Sequence, residues 1–196
     1  MAQHTELKKH GITADTPKNV ILDAGTIHIG LKLTEGAWNF AESLLCATSG
    51  GSKFTVTPEV YDIPADGAKV KVKGLTVKQG ESATLETNCL EISQKVLEKL
   101  LISVSGTPNE YNGYTEIKSK SKIEAGDHFE NVAYVGHTID GREIIIILDN
   151  ALCTTGLSLE GKDKSESVVP ATFECYADMN SDLDVLPWRI LFPIEG

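Results

Sequence analysis

Between Lys69 and Cys89 the chain alternates apolar and polar side chains with a period of two. Val70 and Val72 alternate with Lys69, Lys71 and Lys73, the phase slips by one at Gly74, and Leu75 and Val77 then alternate with Thr76 and Lys78. A slip of one in such a pattern marks a bulge. Beyond Gln79 and Gly80, Ala83, Leu85, Thr87 and Cys89 share one face, and Ser82, Thr84, Glu86 and Asn88 share the other. The pattern predicts two long strands that reverse near Gln79 and Gly80, half in a core and half in water. A ribbon of this kind leaves backbone hydrogen-bonding groups on its edges and needs neighbours there. It fits one face of a β-sandwich, and equally the wall of a tube with a wet interior.

A chain of 196 residues suits one domain with long loops, and 41% hydrophobic with 23% charged residues is ordinary for a globular protein. The balance is acidic, with 28 Asp plus Glu against 18 Lys plus Arg, and the arginines are Arg142 and Arg189. That composition argues against a surface that grips nucleic acid. The longest apolar run, Ile144 to Leu148, is far short of the ~20 residues of a membrane span. The opening Met1 to His10 is polar and unlike a signal peptide, so the expected compartment is the cytosol. Cys46, Cys89, Cys153 and Cys175 lack CxxC pairing and sit in apolar or alternating segments, as reduced, buried thiols do.

A polar arm, residues 1–16, leads into strand material from Asn19 to Leu33, interrupted at Asp23 to Gly25. Residues 34–52 carry Trp38, Phe40, Leu44 and Leu45 in a segment too long for a plain connection, which predicts a hairpin or short helix there. Lys53 to Val60 is a further strand candidate. One helix is expected after Ser93, which can cap it, with a stripe of Val96, Leu97, Leu100 and Leu101. Strands are then expected at 115–123, 129–139, 143–148, 153–159 and 167–176, with turns that include Asp149-Asn150. The run Ile144 to Leu148 reads as a central strand buried on both faces. The fold class is mainly β: an antiparallel β-sandwich or partly open barrel with one flanking α-helix.

No GxSxG, HExxH or GxxxxGK[ST] motif occurs, so no hydrolase, metalloprotease or phosphate-loop chemistry has an anchor, and no catalytic residue or cofactor is expected. His128 and His137 differ in parity along one strand and point to opposite faces. Asp178, Asn180, Asp182 and Asp184 imitate the first half of a calcium loop, but Leu183 stands where the turn glycine belongs and Arg189 where the bidentate glutamate belongs. The plain reading is a polar loop, and no metal site is assigned.

The acidic loop Asp178 to Asp184 followed by Pro187, Trp188, Ile190 and Phe192 resembles the carboxyl end of siphophage-type major tail (tail tube) proteins. The opening Pro17, Lys18, Asn19, Val20, Ile21, Leu22, Asp23, Ala24 and Gly25 is similar to their amino end. Ala47 to Gly51 with Phe54, and the Gly67 to Gly74 turn, extend the likeness over most of residues 17–196, while the arm 1–16 has no counterpart. The resemblance implies a structural virion protein, not an enzyme. It would form hexameric rings that stack into the tube through which DNA is ejected, and would be assembled in the host cytoplasm. Implied partners are copies of itself, the tape-measure, tail terminator and baseplate or distal tail proteins, and DNA that passes without sequence-specific binding; no membrane is involved. On this reading Ser82, Thr84, Glu86 and Asn88 face the lumen. Trp38, Phe40, Leu44, Leu45, Trp188 and Phe192 serve contacts between subunits or rings, with the segment 34–52 and a carboxyl-terminal arm 186–196 as the contact elements. A monomeric or trimeric β-sandwich binding module of a phage tail, and the inner tube of a contractile injection apparatus, are the alternatives.

Overall fold

The alternation after Gly80 is realised as a strand, but in one long strand rather than two. In the computed structural model, which describes residues 10–108, 110–161 and 163–194, the elements in chain order begin with α1 (Thr16–Asn19), β1 (Ile21–Ile29), β2 (Leu33–Thr34), β3 (Ala37–Trp38) and α2 (Phe40–Ser43). They continue with β4 (Thr48–Asp62), β5 (Thr76–Cys89), α3 (Gln94–Leu100), β6 (Ser103–Gly106) and β7 (Glu116–Ser119). The last are β8 (Phe129–Thr138), β9 (Glu143–Cys153), β10 (Val169–Cys175) and β11 (Trp188–Leu191). Residues 1–9 of the polar arm lie outside the described residues.

The predicted reversal at Gln79-Gly80 is a bulge. Glu59 pairs with Gly80 and the next residue, Val60, pairs with Lys78, so Gln79 is the extra residue and β5 runs on through it. The reversal lies instead in residues 63–75, where Gly67 and Gly74 adopt left-handed backbone. The Lys and Val alternation of 69–73 therefore lies in an exposed loop: period two is necessary for a half-buried strand, but it does not supply the surface to bury against. After the bulge the reading holds, with Ala83, Leu85, Thr87 and Cys89 buried and Ser82, Thr84, Glu86 and Asn88 on the opposite face.

The main sheet has the order β1-β8-β9-β10-β5-β4, antiparallel throughout, with β11 on β9 beside β10. Both terminal strands feed one cluster: Ile27 of β1 and Phe54 and Val56 of β4 meet Val132, Leu148, Phe173 and Leu85 from the strands between. A flat sheet cannot bring its two ends to the same side chains, so this one curls into a partly open barrel. The gap between its ends is bridged by chain rather than by strand pairing. Leu45 donates its N–H to the Ile27 carbonyl at 2.9 Å, Leu44 forms a lone bridge to His28, and Leu90 donates to Ala47 at 2.8 Å.

Helix α3 covers part of this core. Ser93 Oγ accepts the Val96 N–H at 3.2 Å as the expected cap, and Val96 and Leu100 are buried in the cluster. The convex face of β8 and β9 carries a second cluster of Leu31, Ala133, Val135, Ile145 and Ile147, roofed by Trp38 and Phe40. This explains the uninterrupted Ile144 to Leu148 run, which is apolar because both of its faces are covered.

Two other expectations need correction. No turn forms at Asp149-Asn150: β9 continues to Cys153, and the left-handed Asn150 (φ 49) bends it, so that β11 takes residues 145–148 of its edge and β10 takes 151–153. Asn tolerates that conformation at little cost, so a residue that signals a turn here serves a bend. No strand spans 153–159, because the chain leaves the sheet after Cys153 and Leu157 and Leu159 stand exposed. Between α3 and the later strands, β6 pairs with β7 as a small separate sheet.

Two positions hold this closure. In the β1 bulge Gly25 (φ 68) lies against the Tyr134 ring, where an added Cβ would overlap the ring carbons. His28 is buried between Thr26 Oγ1, 2.8 Å from Nε2, and Ser43 Oγ, 2.9 Å from Nδ1, with Phe40 tilted against the ring. Burial holds the His28 pKa below its ordinary 6.5, against a smaller upward pull from the Phe40 backbone.

Gly25→Ala should therefore cost about 2–4 kcal/mol in denaturant unfolding, combining overpacking with left-handed strain. Gly30→Ala, at a similar φ but with open space around it, should cost about 1 kcal/mol. The neutral His28 of the folded state binds a proton less readily than that of the unfolded chain. Its contribution is thus complete above pH ~6.5 and is lost as pH falls below that value towards the folded pKa. The unfolding midpoint should drop between pH 7.5 and 5.5, and His28→Gln should flatten that dependence.

Candidate functional site

The surface that distinguishes this molecule is the polar face of β4, β5 and β10, together with the free edge of β4. The register sets Thr57 beside Ser82, Thr55 beside Thr84, and Lys53 beside Glu86, while β10 adds Glu174 next to Thr84 and Thr172 next to Glu86. The four residues expected to line a lumen thus share one face, widened by hydroxyls from both neighbouring strands. Sequence reading missed Thr55, Thr57 and Thr172, because the partner strands of β5 cannot be identified from β5 alone. The charges on this face are largely paired or acidic: Lys53 Nζ lies 3.4 Å from Glu86 Oε1, and Glu174 accepts from Thr154 Oγ1 at 3.1 Å.

On its other side β4 has no strand partner among the described residues, although it is fifteen residues long. Pro58 and Lys53 are the features on it that discourage indiscriminate pairing. Beyond Glu174 opposite Thr84, where the pairing of β10 with β5 ends, β4 and β5 continue as a two-stranded stem to Asp62 opposite Thr76. Lys71 Nζ lies 2.5 Å from Asp62, which holds the Asp62 carboxyl below its usual range, and Thr76 Oγ1 donates to the same carboxylate at 2.6 Å.

The expected contact residues divide among several environments. Trp38 and Phe40 stack at 6.3 Å over the convex cluster and are partly buried, and Leu45 is buried in the inner core. Trp188 lies 6.0 Å from the Phe54 ring and donates Nε1–H to Glu81 Oε1 at 2.6 Å. Glu81 is held below the usual carboxylate range by Lys78 first and Trp188 second. Leu44 and Phe192 remain exposed. The segment expected as a carboxyl-terminal arm is in part a strand, β11, with Arg189 bridging to Asp149 at 3.0 Å.

The four cysteines are free and buried. Burial raises the thiol pKa of Cys153, and that of Cys175 to about 11, while Cys46 and Cys89 share a hydrogen bond that raises the first and lowers the second. In the acidic loop Asp178 Oδ1 accepts the Asn180 N–H at 2.8 Å and Asp182 Oδ1 accepts the Asp184 N–H at 2.9 Å, so both carboxylates turn back on their own backbone as Asx turns. Among the described residues no three His, Cys, Asp or Glu side chains converge as a metal-binding group, and no helix is long and apolar enough to cross a membrane.

No family model matches the sequence, and no curated protein matches it. Among solved structures, a chain from the tail of an empty gene transfer agent particle, refined with C6 symmetry, is similar over 79% of this chain and 92% of its own, with 10% identity and a TM-score of 0.44. A chain from the virion of a native gene transfer agent has the same coverage and identity and a TM-score of 0.40. A double mutant of the Hcp1 protein from E. coli EAEC 042 is similar over 86% of this chain and 99% of its own, with 14% identity and a TM-score of 0.32. These scores are too low for an argument from likeness, so the functional reading rests on the chain's own sheet.

Proposed function

We propose that this chain is a structural protein that joins copies of itself edge to edge into rings, which stack as a tail tube for the passage of DNA. The observation that carries the reading is the fifteen-residue β4, unpaired on its outer side and flanked by a hydroxyl-lined sheet face. A long open edge is a hazard in a monomer and an asset in a closed ring, where a neighbour's strand satisfies it. Hexameric rings, a place in the virion and the tape-measure, terminator and distal tail partners follow from the sequence resemblance.

In such a ring Ser82, Thr84, Glu86 and Asn88, with Thr55, Thr57 and Thr172, line the lumen. Hydroxyls offer phosphate only neutral hydrogen bonds, and the nearby carboxylates repel it, so DNA slides past without being held. Lys53 is kept from acting as a phosphate anchor by Glu86. Leu44 and Phe192, exposed in the single subunit, offer apolar surface for contacts between subunits or rings.

Negative-stain microscopy and sedimentation of the purified chain over rising concentration should reveal rings or tubes; a particle that stays solitary at every concentration would overturn the reading. Glu86→Lys should leave assembly intact and slow DNA ejection severalfold, since it removes the partner of Lys53 and adds a second cation on the same face. Unchanged ejection kinetics would remove these residues from the lumen.

A further inference from the structure

The hairpin that extends β4 and β5 ends in a loop of unusual character. Residues 63–75 hold Lys69, Lys71 and Lys73 against a single acid, Asp66, in a chain whose formal net charge is -10. Ile63, Val70 and Val72 are exposed beside these lysines, Val70 at 79%. Lys71 is tied to the stem through Asp62, whereas Lys69 and Lys73 have no ion pair among the described residues. A two-stranded ribbon with apolar residues in water on its tip is marginal on its own.

A second surface has the opposite character. The loop between β10 and β11 carries Asp178, Asp182 and Asp184 with no lysine or arginine from Tyr176 to Pro187, and it exposes Met179, Leu183 and Val185, Met179 at 91%. The carboxylates of Asp178 and Asp182 accept amides of their own loop, and none of the three pairs with a cation among the described residues. Each surface thus interleaves apolar side chains with a predominant sign of charge, and apart from Lys71 those charges have no ion pair among the described residues. The apolar content of both marks a protein partner rather than nucleic acid.

We propose that the Lys69 to Lys73 hairpin tip of one copy seats on the Asp178 to Asp184 loop of a neighbouring copy. This inference rests on the self-assembly reading above and supplies a contact for it. The acidic loop lies beside the base of the same hairpin, since Leu183, Asp184 and Leu186 border the same hollow as Lys78 to Glu81. Donor and acceptor therefore occupy one end of the subunit, which suits neighbours side by side in a ring better than rings end to end. The contact is heterologous, tip to loop, and can repeat around an axis. Copies that repel one another overall through net charge gain a local attraction that selects one docking register.

The test is a charge exchange between chains. K69E/K73E and D182K/D184K, neither of which touches the Lys71 to Asp62 pair, should each raise the concentration needed for assembly about tenfold or more, because each places like charges together. Circular dichroism should find both variants folded. Mixed in equal amounts they should assemble again, since each altered tip then meets an oppositely altered loop and each native tip a native loop. Rescue only when all four changes are in one chain would mean that the tip closes on its own subunit, and would overturn the proposal. Assembly unaffected by either variant, or a change confined to nucleic-acid binding, would also overturn it. Wild-type tubes that ignore both variants would end this contact and leave the tube reading standing. Closed dimers that obey the exchange would keep the contact and end the tube.

Discussion

Both end strands of the main sheet put side chains into one core, and the rest of the molecule is arranged around that constraint. Ile27 from β1 and Phe54 and Val56 from β4 reach the same cluster, so the sheet must curl until its ends approach. Closure by direct pairing of β1 and β4 would complete a barrel and remove the free edge. Instead the segment Leu44 to Cys46 is interposed, bonded to Ile27 and pinned by the buried His28 and Ser43 pair. The barrel stays partly open. β4 consequently has no strand partner on its outer side among the described residues, and the edge on which the proposed assembly depends results from incomplete closure of the fold.

The parts of this arrangement that were legible in the sequence are those decided locally. The capped helix after Ser93, the doubly buried Ile144 to Leu148 and the inward and outward parity of Ala83 to Cys89 each follow from a short pattern whose two or three alternatives differ in period. Lys69 to Lys73 misled for the complementary reason. Its alternation is as regular as that of β5, but whether a strand forms there depends on a distant surface, and the pairing of β10 with β5 ends at Thr84 before β10 can supply one. Asn150 shows the same limit at a single residue, since a left-handed backbone serves a turn or a bend equally well and the choice is made by β10 and β11 sharing the edge of β9. Of the candidate contact residues, Trp38, Phe40 and Leu45 could not be separated from Leu44 and Phe192 by residue type. What separates them is which cluster lies beneath, and that is set by strand order.

The bulge at Gln79 connects these layers. By adding one residue to β5 opposite Glu59 and Val60, it increases the local twist of the hairpin where the stem leaves the sheet. Glu81, two residues on, is half-buried rather than free in water and meets both Lys78 and the indole N–H of Trp188. The terminal strand β11 is thereby tied across the barrel to the root of the hairpin, in addition to its pairing with β9. A two-stranded stem would otherwise pivot about its last three-stranded contact. The Trp188 ring, tilted against Phe54 and hydrogen-bonded to Glu81, anchors its root to the sheet.

That anchoring bears on the proposed association of a strongly acidic protein with itself. Uniform repulsion between copies falls off with the screening length, ~8–10 Å at moderate salt, whereas a docking contact acts at a few ångströms. Net charge of one sign therefore opposes random aggregation at a distance without forbidding a specific contact in which opposite charges meet. The lysines of this chain are distributed to suit that requirement: Lys53 and Lys78 are paired on or near the sheet, while Lys69 and Lys73, at the far end of a stem, have no ion pair among the described residues. A flexible stem would lose the advantage, because ordering it on contact would consume much of the attraction. The Trp188 to Glu81 tie reduces that entropic cost in advance, which makes the bulge, the terminal strand and the exposed hairpin parts of one mechanical unit.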